Sequence, residues 1–398
     1  MTPISINSLS TETLFHIFSL AEKSPKNLLA HRSVCKQWNE NIMEFFCSSL
    51  KRLKTYTSKF DLINQAIQQI PENESFNSLN VIEILKTFNA TIANYRETIH
   101  PWPIIPCKQE IRALEQQLQE SESLLELWKA LPISNKPELK TIAQIRKWFE
   151  NEQNQPLLEA ITTLDLRNRE ISCLPREIFK LHHLTELDLS ENLIEKLPTL
   201  IKVWTHLEEL DLHDNRLTCL PDHGMKHLKN LKRLFLSSNL IEVLPDSIGV
   251  WIQLEELDLC DNKLEYLPDG VEHLRNLRIL NISSNQLNLL SPSMGELKNL
   301  EKLDVGENFL MELPSEIGQC TSLKTLKVSR NFLLKLPKEL KSLTSLIKFD
   351  AFDNQLGSLP KELSSWKKIE KIRLAKNDLN ITKEQAKQLW PSATEIDL

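Results

Sequence analysis

Residues 184–198 read Leu184-Thr-Glu-Leu187-Asp-Leu189-Ser-Glu-Asn192-Leu-Ile194-Glu-Lys-Leu197-Pro198. The same frame returns 23 residues later as Leu207, Leu210, Leu212, Asn215, Leu217, Leu220 and Pro221. It starts again at residues 231, 254, 277, 300, 323, 346 and 369, with one extra residue near Gly224. A weaker first copy begins at Ile161, where Arg169 stands in place of the asparagine. Ten copies thus run in register, followed by a strand-like stub at Ile396 and Leu398. A fixed period of this length marks an architecture of stacked repeats.

Each position of the repeat has a physical reason. Leucines at positions four and six alternate inward along a short strand, so neighbouring strands build a parallel sheet with one buried face. The asparagine at position nine, from Asn192 to Asn377, falls where the chain must turn. An amide there satisfies backbone groups that would otherwise be buried without partners. Proline at position fifteen fixes φ and ends the strand pattern. The second half of each copy, such as Asp246-Ser-Ile248-Gly249-Val-Trp251, reads as a short helix or extended turn. Cys173 and Cys219 share an inward-leaning position of two copies and are expected in the core. One copy cannot bury its own leucines, but ten stacked copies can.

These motifs resemble the 23-residue leucine-rich repeats of intracellular scaffold proteins, with Leu244-Pro245-x-x-Ile248-Gly249 nearest to their pattern. The resemblance covers residues 161–398. It implies an α/β fold: a curved leucine-rich-repeat solenoid of parallel strands whose concave sheet is the usual binding face. An all-α region is expected to precede it.

Positions three, five, seven and eight should project from that sheet, because they alternate with the buried leucines. Ten copies at roughly 4.8 Å per strand give a face about 45 Å long. The first five copies place ten acids there against Arg167 and Arg233, a balance of −8. The last five place Asp304, Glu307, Asp350 and Asp353 against seven cations, a balance of +3. Such a gradient would orient a partner of complementary polarity, although charges on an exposed strand are also ordinary solvated surface. Phe235 and Ile279 interrupt the polar face near its middle, and Phe352 does so near the basic end. The candidate target-binding residues are therefore Glu186, Asp188, Glu209, Asp211, Phe235, Asp258, Ile279, Lys327, Arg330, Phe352 and Arg373.

The first fifty residues follow another period. Ser10 or Thr11 can cap a helix with Glu12 in its first turn. Leu14, Ile17, Phe18 and Ala21 then form an amphipathic stripe. Ser24-Pro25 restarts the chain as a cap followed by a first-turn proline. Leu9-x-x-Glu12-x-Leu14-x-x-Ile17-Phe18, Asn27-Leu28 and Arg32-x-Val34-Cys35-Lys36-x-Trp38 together resemble an F-box. That family's helical module docks onto a Skp-type adaptor of cullin-based ubiquitin ligases. The resemblance assigns adaptor contact to Leu9, Leu14, Ile17, Phe18, Val34, Cys35 and Trp38. One departure is Ser10, where the family usually has proline. Module, spacer and repeats occur in this order in eukaryotes and in bacterial proteins delivered into eukaryotic cells. The resemblance therefore implies the cytosol of a eukaryotic cell, reached either by synthesis there or by delivery from an intracellular bacterium.

Residues 51–160 read as helices and divide the chain into a module at 1–50, a spacer and cap at 51–160, and repeats at 161–398. Ile63, Ala66, Ile67 and Ile70 form one stripe; Ile82, Leu85, Phe88, Ile92 and Tyr95 form another. Pro101, Pro103 and Pro106 break the chain. Ile111, Leu114, Leu118, Ser121, Leu125 and Trp128 then follow a heptad too short for a free coiled coil. Ile142, Ile145 and Phe149 are expected to cap the first repeat; Ile381, Ala386, Leu389 and Trp390 are expected to cap the last.

Composition narrows the function. A length of 398 residues exceeds one typical domain, and a net charge of −6 gives no general pull toward nucleic acid or anionic membrane. No apolar run approaches the roughly 20 residues that span a bilayer, and no signal-peptide pattern opens the chain. Seven scattered cysteines without a C-x-x-C pair argue for reduced thiols rather than disulfides or zinc. Cys260, placed among acids, would have a raised pKa and make a poor nucleophile. No Gly-rich phosphate loop occurs, and no catalytic segment is expected beyond the repeats. The expectation is a non-enzymatic substrate receptor without cofactor or metal, binding a Skp-type adaptor and an unidentified target protein. The alternatives are a signalling scaffold of the small-GTPase-associated type and an unrecognised enzyme within residues 51–160.

Overall fold

The computed structural model describes residues 116, 119–139 and 141–398. The F-box-like positions Leu9 to Trp38, both helical stripes of residues 63–95, and Ile111, Leu114 and Leu118 lie outside the described residues. The chain divides into two compact units, the second comprising Ala130–Pro132 and Gln155–Leu398.

The second unit is a leucine-rich-repeat solenoid. Its eleven three-residue strands are β1 (Thr163–Asp165), β2 (Glu186–Asp188), β3 (Glu209–Asp211), β4 (Arg233–Phe235), β5 (Glu256–Asp258) and β6 (Ile279–Asn281). They continue as β7 (Lys302–Asp304), β8 (Thr325–Lys327), β9 (Lys348–Asp350), β10 (Lys371–Arg373) and β11 (Glu395–Asp397). All are parallel and follow one another in chain order. The register is that of the repeat: Leu210 lies beside Leu187 and Leu234, and Phe349 lies between Leu326 and Ile372. Central leucines from Leu164 to Leu326 are nearly inaccessible, as are the position-six residues from Leu166 to Leu374. Each such side chain contributes about 1.5–3 kcal/mol through burial.

The asparagine ladder behaves as the repeat requires. Asn192 Oδ1 accepts from the Ile171 N–H at 3.0 Å, while its Nδ2 donates to Leu166 O and Leu189 O at 2.9 Å. The same pattern recurs at Asn215, Asn239, Asn262, Asn285 and onward to Asn377. One amide therefore links two successive turns. Position eight, before each asparagine and before Arg169 in the first copy, carries a conformation invisible in the side-chain pattern. Asn168, Glu191, Asp214, Ser238, Asp261, Ser284, Glu307, Arg330, Asp353 and Lys376 have φ between 51° and 60°. None is glycine, so each left-handed residue costs about 1–2 kcal/mol that the following hydrogen bonds must offset.

The return limb of most repeats is a 3₁₀ helix entered from proline, as at Pro245 before Asp246–Val250 and Pro337 before Lys338–Ser342. The missing proline N–H costs nothing at a helix entrance. The extra residue near Gly224 is absorbed by a true α-turn, Asp222–Met225. Position 21 closes each repeat against its predecessor: Trp251 Nε1 donates to Met225 O at 3.1 Å, and Trp366 Nε1 to Leu340 O at 2.8 Å. Cys320 occupies that position with its Sγ 3.2 Å from Met294 O, and burial pushes its thiol up to about 11. Among the described residues the buried cysteine is thus Cys320. Cys219 is exposed and Cys173 half-buried, contrary to the expectation for both, because position thirteen points away from the leucine stack.

At the C-terminal end, helix Lys383–Leu389 is fixed by a capping box between Thr382 and Gln385. Ala386 and Trp390 are buried there, with Trp390 stacked on Trp366.

In the first unit, residues 119–129 are helical, and Ile142–Glu150 is a helix with a capping box at Thr141 and Gln144. Leu124, Leu127 and Trp128 are buried, whereas Leu125 is only half-buried. The buried stripe is therefore broader than the heptad seam, as a helix of 3.6-residue period packed in a globular unit requires. Trp128, Trp148 and Phe149 meet edge to face, with centroids 5.0–6.3 Å apart. Ile142, Ile145 and Phe149 are buried.

Candidate protein-binding face

Strand pleating sorts the side chains of residues 161–398. On β2 to β6 the central residue is buried and its two neighbours are half-buried or exposed. Glu186, Asp188, Glu209, Asp211, Phe235, Asp258, Ile279, Lys327 and Arg373 therefore lie on one open face of the sheet, as the alternation predicts. Arg330 is exposed and Phe352 half-buried just beyond the strands. Three positions depart from the expected outward set. Ser190 is fully buried, its hydroxyl donating to Asp188 at 2.5 Å, Asp304 is buried beside Lys327, and Gly306 is buried too.

The charges on this face are organised in pairs between adjacent repeats. Arg233 binds Glu209 on the neighbouring strand, while Glu186 and Glu256 add attraction that raises its pKa further. His213 Nδ1 lies 2.8 Å from Asp211 Oδ1. Arg167 reaches Asp165 and Asp188, at 3.2 and 3.5 Å. Toward the other end, Lys327 meets Asp304 at 2.8 Å, Arg330 meets Glu307, and Arg373 meets Asp350 at 2.9 Å. The acidic half keeps a surplus of carboxylates. The basic half is more nearly neutral than the ten copies alone suggest, because β11 adds Glu395 against Lys371 and Asp397 against Arg373. The stub strand thus changes the electrostatics as well as the capping.

Near the middle, burial raises the pKa of Asp258, the largest effect, and its Oδ1 accepts from the Cys260 N–H at 3.0 Å. The Cys260 thiol is also pushed up, by burial first and by Asp258, Asp261 and Asp304 after it. The direction matches the sequence reading, but desolvation rather than the acids is the principal cause. An acid whose folded-state pKa stands above its unfolded value weakens the fold once the pH exceeds that value. That cost vanishes at acid pH, where the carboxyl is protonated in both states. Asp258→Asn retains an oxygen for the Cys260 amide, so it should raise stability at neutral pH and leave it nearly unchanged in acid. Urea unfolding at both pH values checks this, and an equal gain at each would contradict it.

Two features were not anticipated. One is a hollow of about 300 Å³ on the open face between β6 and β10. Ser283, Gly306 and Ser329 line it together with the Lys327, Arg330 and Arg373 pairs and Phe352. The ring of Phe352 lies 4.9 Å from the Arg373 guanidinium and 5.0 Å from the Lys376 ammonium. A run of small residues at position seven was readable in the sequence as the floor of such a hollow. A Cβ at Gly306 would come within 3.1 Å of Ser329 Oγ.

The other feature is apolar. Phe309, Met311, Phe332 and Leu334 are 43–65% exposed, and the two phenyl rings stack 6.2 Å apart. They occupy positions ten and twelve, where most other repeats carry polar residues, and that contrast was their signal. Among the described residues no three His, Cys, Asp or Glu side chains gather as a cation site, and no helix is long and apolar enough to cross a membrane.

The family described as "Leucine rich repeat" matches residues 205–249 and 252–310. No curated protein matches this chain. Among solved structures, a leucine-rich-repeat protein of Leptospira interrogans is 29% identical over 61% of this chain and 74% of its own, with a TM-score of 0.43. A TDR receptor is 28% identical over 61% of this chain and 48% of its own, with a TM-score of 0.51. The Arabidopsis receptor kinase HAESA, solved with the peptide hormone IDA and the co-receptor SERK1, is 25% identical over 55% of this chain and 39% of its own, with a TM-score of 0.50. The chain spans less than half the length of these two receptor chains.

Proposed function

We propose that this leucine-rich-repeat protein is the target-recognition subunit of a cullin-type ubiquitin ligase, with no chemistry of its own. The open face of its eleven-stranded sheet captures a protein target, and the F-box-like segment Leu9–Trp38 engages a Skp-type adaptor. The observation that carries the target-binding half is that face itself, where half-buried aromatic and paired charged side chains replace the leucines of the core. Desolvated aromatic and arginine side chains set among polar neighbours are the usual energetic centres of protein interfaces. A similar solenoid, HAESA, was solved with a peptide and a protein co-receptor, which supports a polypeptide partner. The adaptor half rests on the motif residues alone. Two binding modules on one chain would raise the effective concentration of the target near the transferring enzyme. The protein would act in the cytosol of a eukaryotic cell.

Calorimetric titration of the full chain with a purified Skp-type adaptor tests the reading. Micromolar or tighter binding is expected, lost in the Ile17→Asp, Trp38→Ala double variant while the far-UV spectrum of the repeats is unchanged. Absence of binding by the folded wild-type chain would remove the ligase role. The remaining reading would be a repeat scaffold of the small-GTPase-associated type.

A further inference from the structure

The hollow and the exposed apolar cluster belong to the same repeats. Glu307 and Arg330 form one wall of the hollow, and Phe309 and Phe332 follow each of them by two residues. The left-handed conformation at Glu307 and Arg330 turns the chain there, and the intervening Asn308 and Asn331 are buried in the ladder. Two stacked, exposed phenyl rings thus follow within two residues of this wall, in the same repeats as the exposed Met311 and Leu334.

Soluble proteins rarely leave such a group of large apolar side chains together at the surface without a partner to cover it. Elsewhere on the open face, apolar groups such as Phe235 and Ile279 stand singly and half-buried. Lone apolar residues of that kind need no partner.

Charge decides what that partner is. Every acid lining the hollow is already held by a cation: Asp304 by Lys327, Glu307 by Arg330 and Asp350 by Arg373. Lys302 on β7 and Lys348 on β9 stand two residues before Asp304 and Asp350 on the same strands and form no ion pair among the described residues, although Lys302 also attracts Asp258. Arg330 bonds Glu307 through Nη1 alone, which leaves further N–H donors of its planar fork for an incoming carboxylate. The local surplus is positive, and the exposed cluster of the same repeats is apolar.

We propose that repeats seven to nine carry the principal docking site of this protein. Its occupant is an acidic polypeptide segment that sets carboxylates against Arg330, Lys302 and Lys348 and lays a large apolar side chain over the Phe309–Phe332 pair. This assignment rests on the protein-binding reading and moves its centre away from the acidic half of the face.

The test uses the full chain and two labelled twelve-residue peptides, one alternating Glu with Leu and Phe, the other with Lys in place of every Glu. Fluorescence anisotropy should show the acidic peptide binding at least about tenfold tighter, with affinity falling as salt rises. Phe309→Ser with Phe332→Ser, and separately Arg330→Ala, should each weaken it about tenfold or more. Ile252→Ser, an exposed apolar position outside the binding face, should leave it unchanged. Equal affinity for both peptides would overturn the proposal, as would no binding by the folded chain or undiminished binding by the Phe309→Ser, Phe332→Ser variant. Adaptor titration of the same preparation reports separately on the N-terminal segment. Peptide failure beside intact adaptor binding would therefore sink this site and leave the ligase role standing.

Discussion

Asn285→Ala is expected to destabilise the solenoid by about 3 kcal/mol, because it leaves a buried donor without an acceptor. Asn285 Oδ1 accepts from the Leu264 N–H at 3.0 Å, a bond that ties one repeat to the next. Its Nδ2 donates to Leu259 O, Ile282 O and Ser283 O at 2.9–3.2 Å. The loss is unequal across these groups. Leu259 O still accepts from Asn262, and Ile282 O from Asn308. Alanine offers nothing to the Leu264 amide, which lies too deep for water to replace the acceptor. Asn281→Ala, on the half-buried open face of β6, is the control and should cost under about 1 kcal/mol. Urea unfolding measures both, and hydrogen exchange at the Leu264 amide should accelerate selectively in the first. Costs that match within error would refute the claim that the ladder, rather than asparagine as such, matters.

Trp366→Ala should be at least as damaging, by about 3–5 kcal/mol. The indole is 1% exposed, with Phe349 at 5.0 Å and Trp390 at 6.1 Å between ring centroids. Its removal empties the junction between the ninth repeat and the C-terminal helix. Repeat stability is a sum of local and nearest-neighbour contributions, so the damage should appear first as lost exchange protection in Lys383–Leu389 and β11. Trp366→Phe keeps most of the volume but forfeits the 2.8 Å bond to Leu340 O, and should cost about 1–2 kcal/mol. An alanine variant no less stable than the phenylalanine variant would mean that the indole fills no structural gap. Trp204 occupies the equivalent place two-thirds of the solenoid earlier, yet its buried Nε1 has no hydrogen-bond partner. The shared position is therefore set by volume, and the carbonyl contact is an addition that some repeats make.

The fold was legible because every repeat states the same constraint again. Leu187 and Leu189 must face inward for one strand, and stepping 23 residues repeats that demand at Leu210 and Leu212. Nearest-neighbour stacking then leaves one topology, eleven parallel strands in chain order. The open-face positions followed from the same alternation, which is why Glu209, Phe235, Asp258 and Lys327 lie where the pattern places them. The shared position of Cys173 and Cys219 was misjudged as inward, since position thirteen belongs to neither the three-residue strand nor the return helix.

Sequence by itself determined the period, the buried leucine rows, the asparagine ladder and the solvent side of each strand, because all of these are contacts between a residue and its own repeat or the next. Only the tertiary structure decided the left-handed residue before every asparagine, the replacement of Cys219 by Cys320 in the core, and the neutralising effect of β11 on the basic end. It alone brought Ser283, Gly306, Ser329 and Phe352, spread over 70 positions of chain, around one hollow. Their proximity depends on the sum of several repeat-to-repeat displacements, and a one-repeat pattern does not contain that sum.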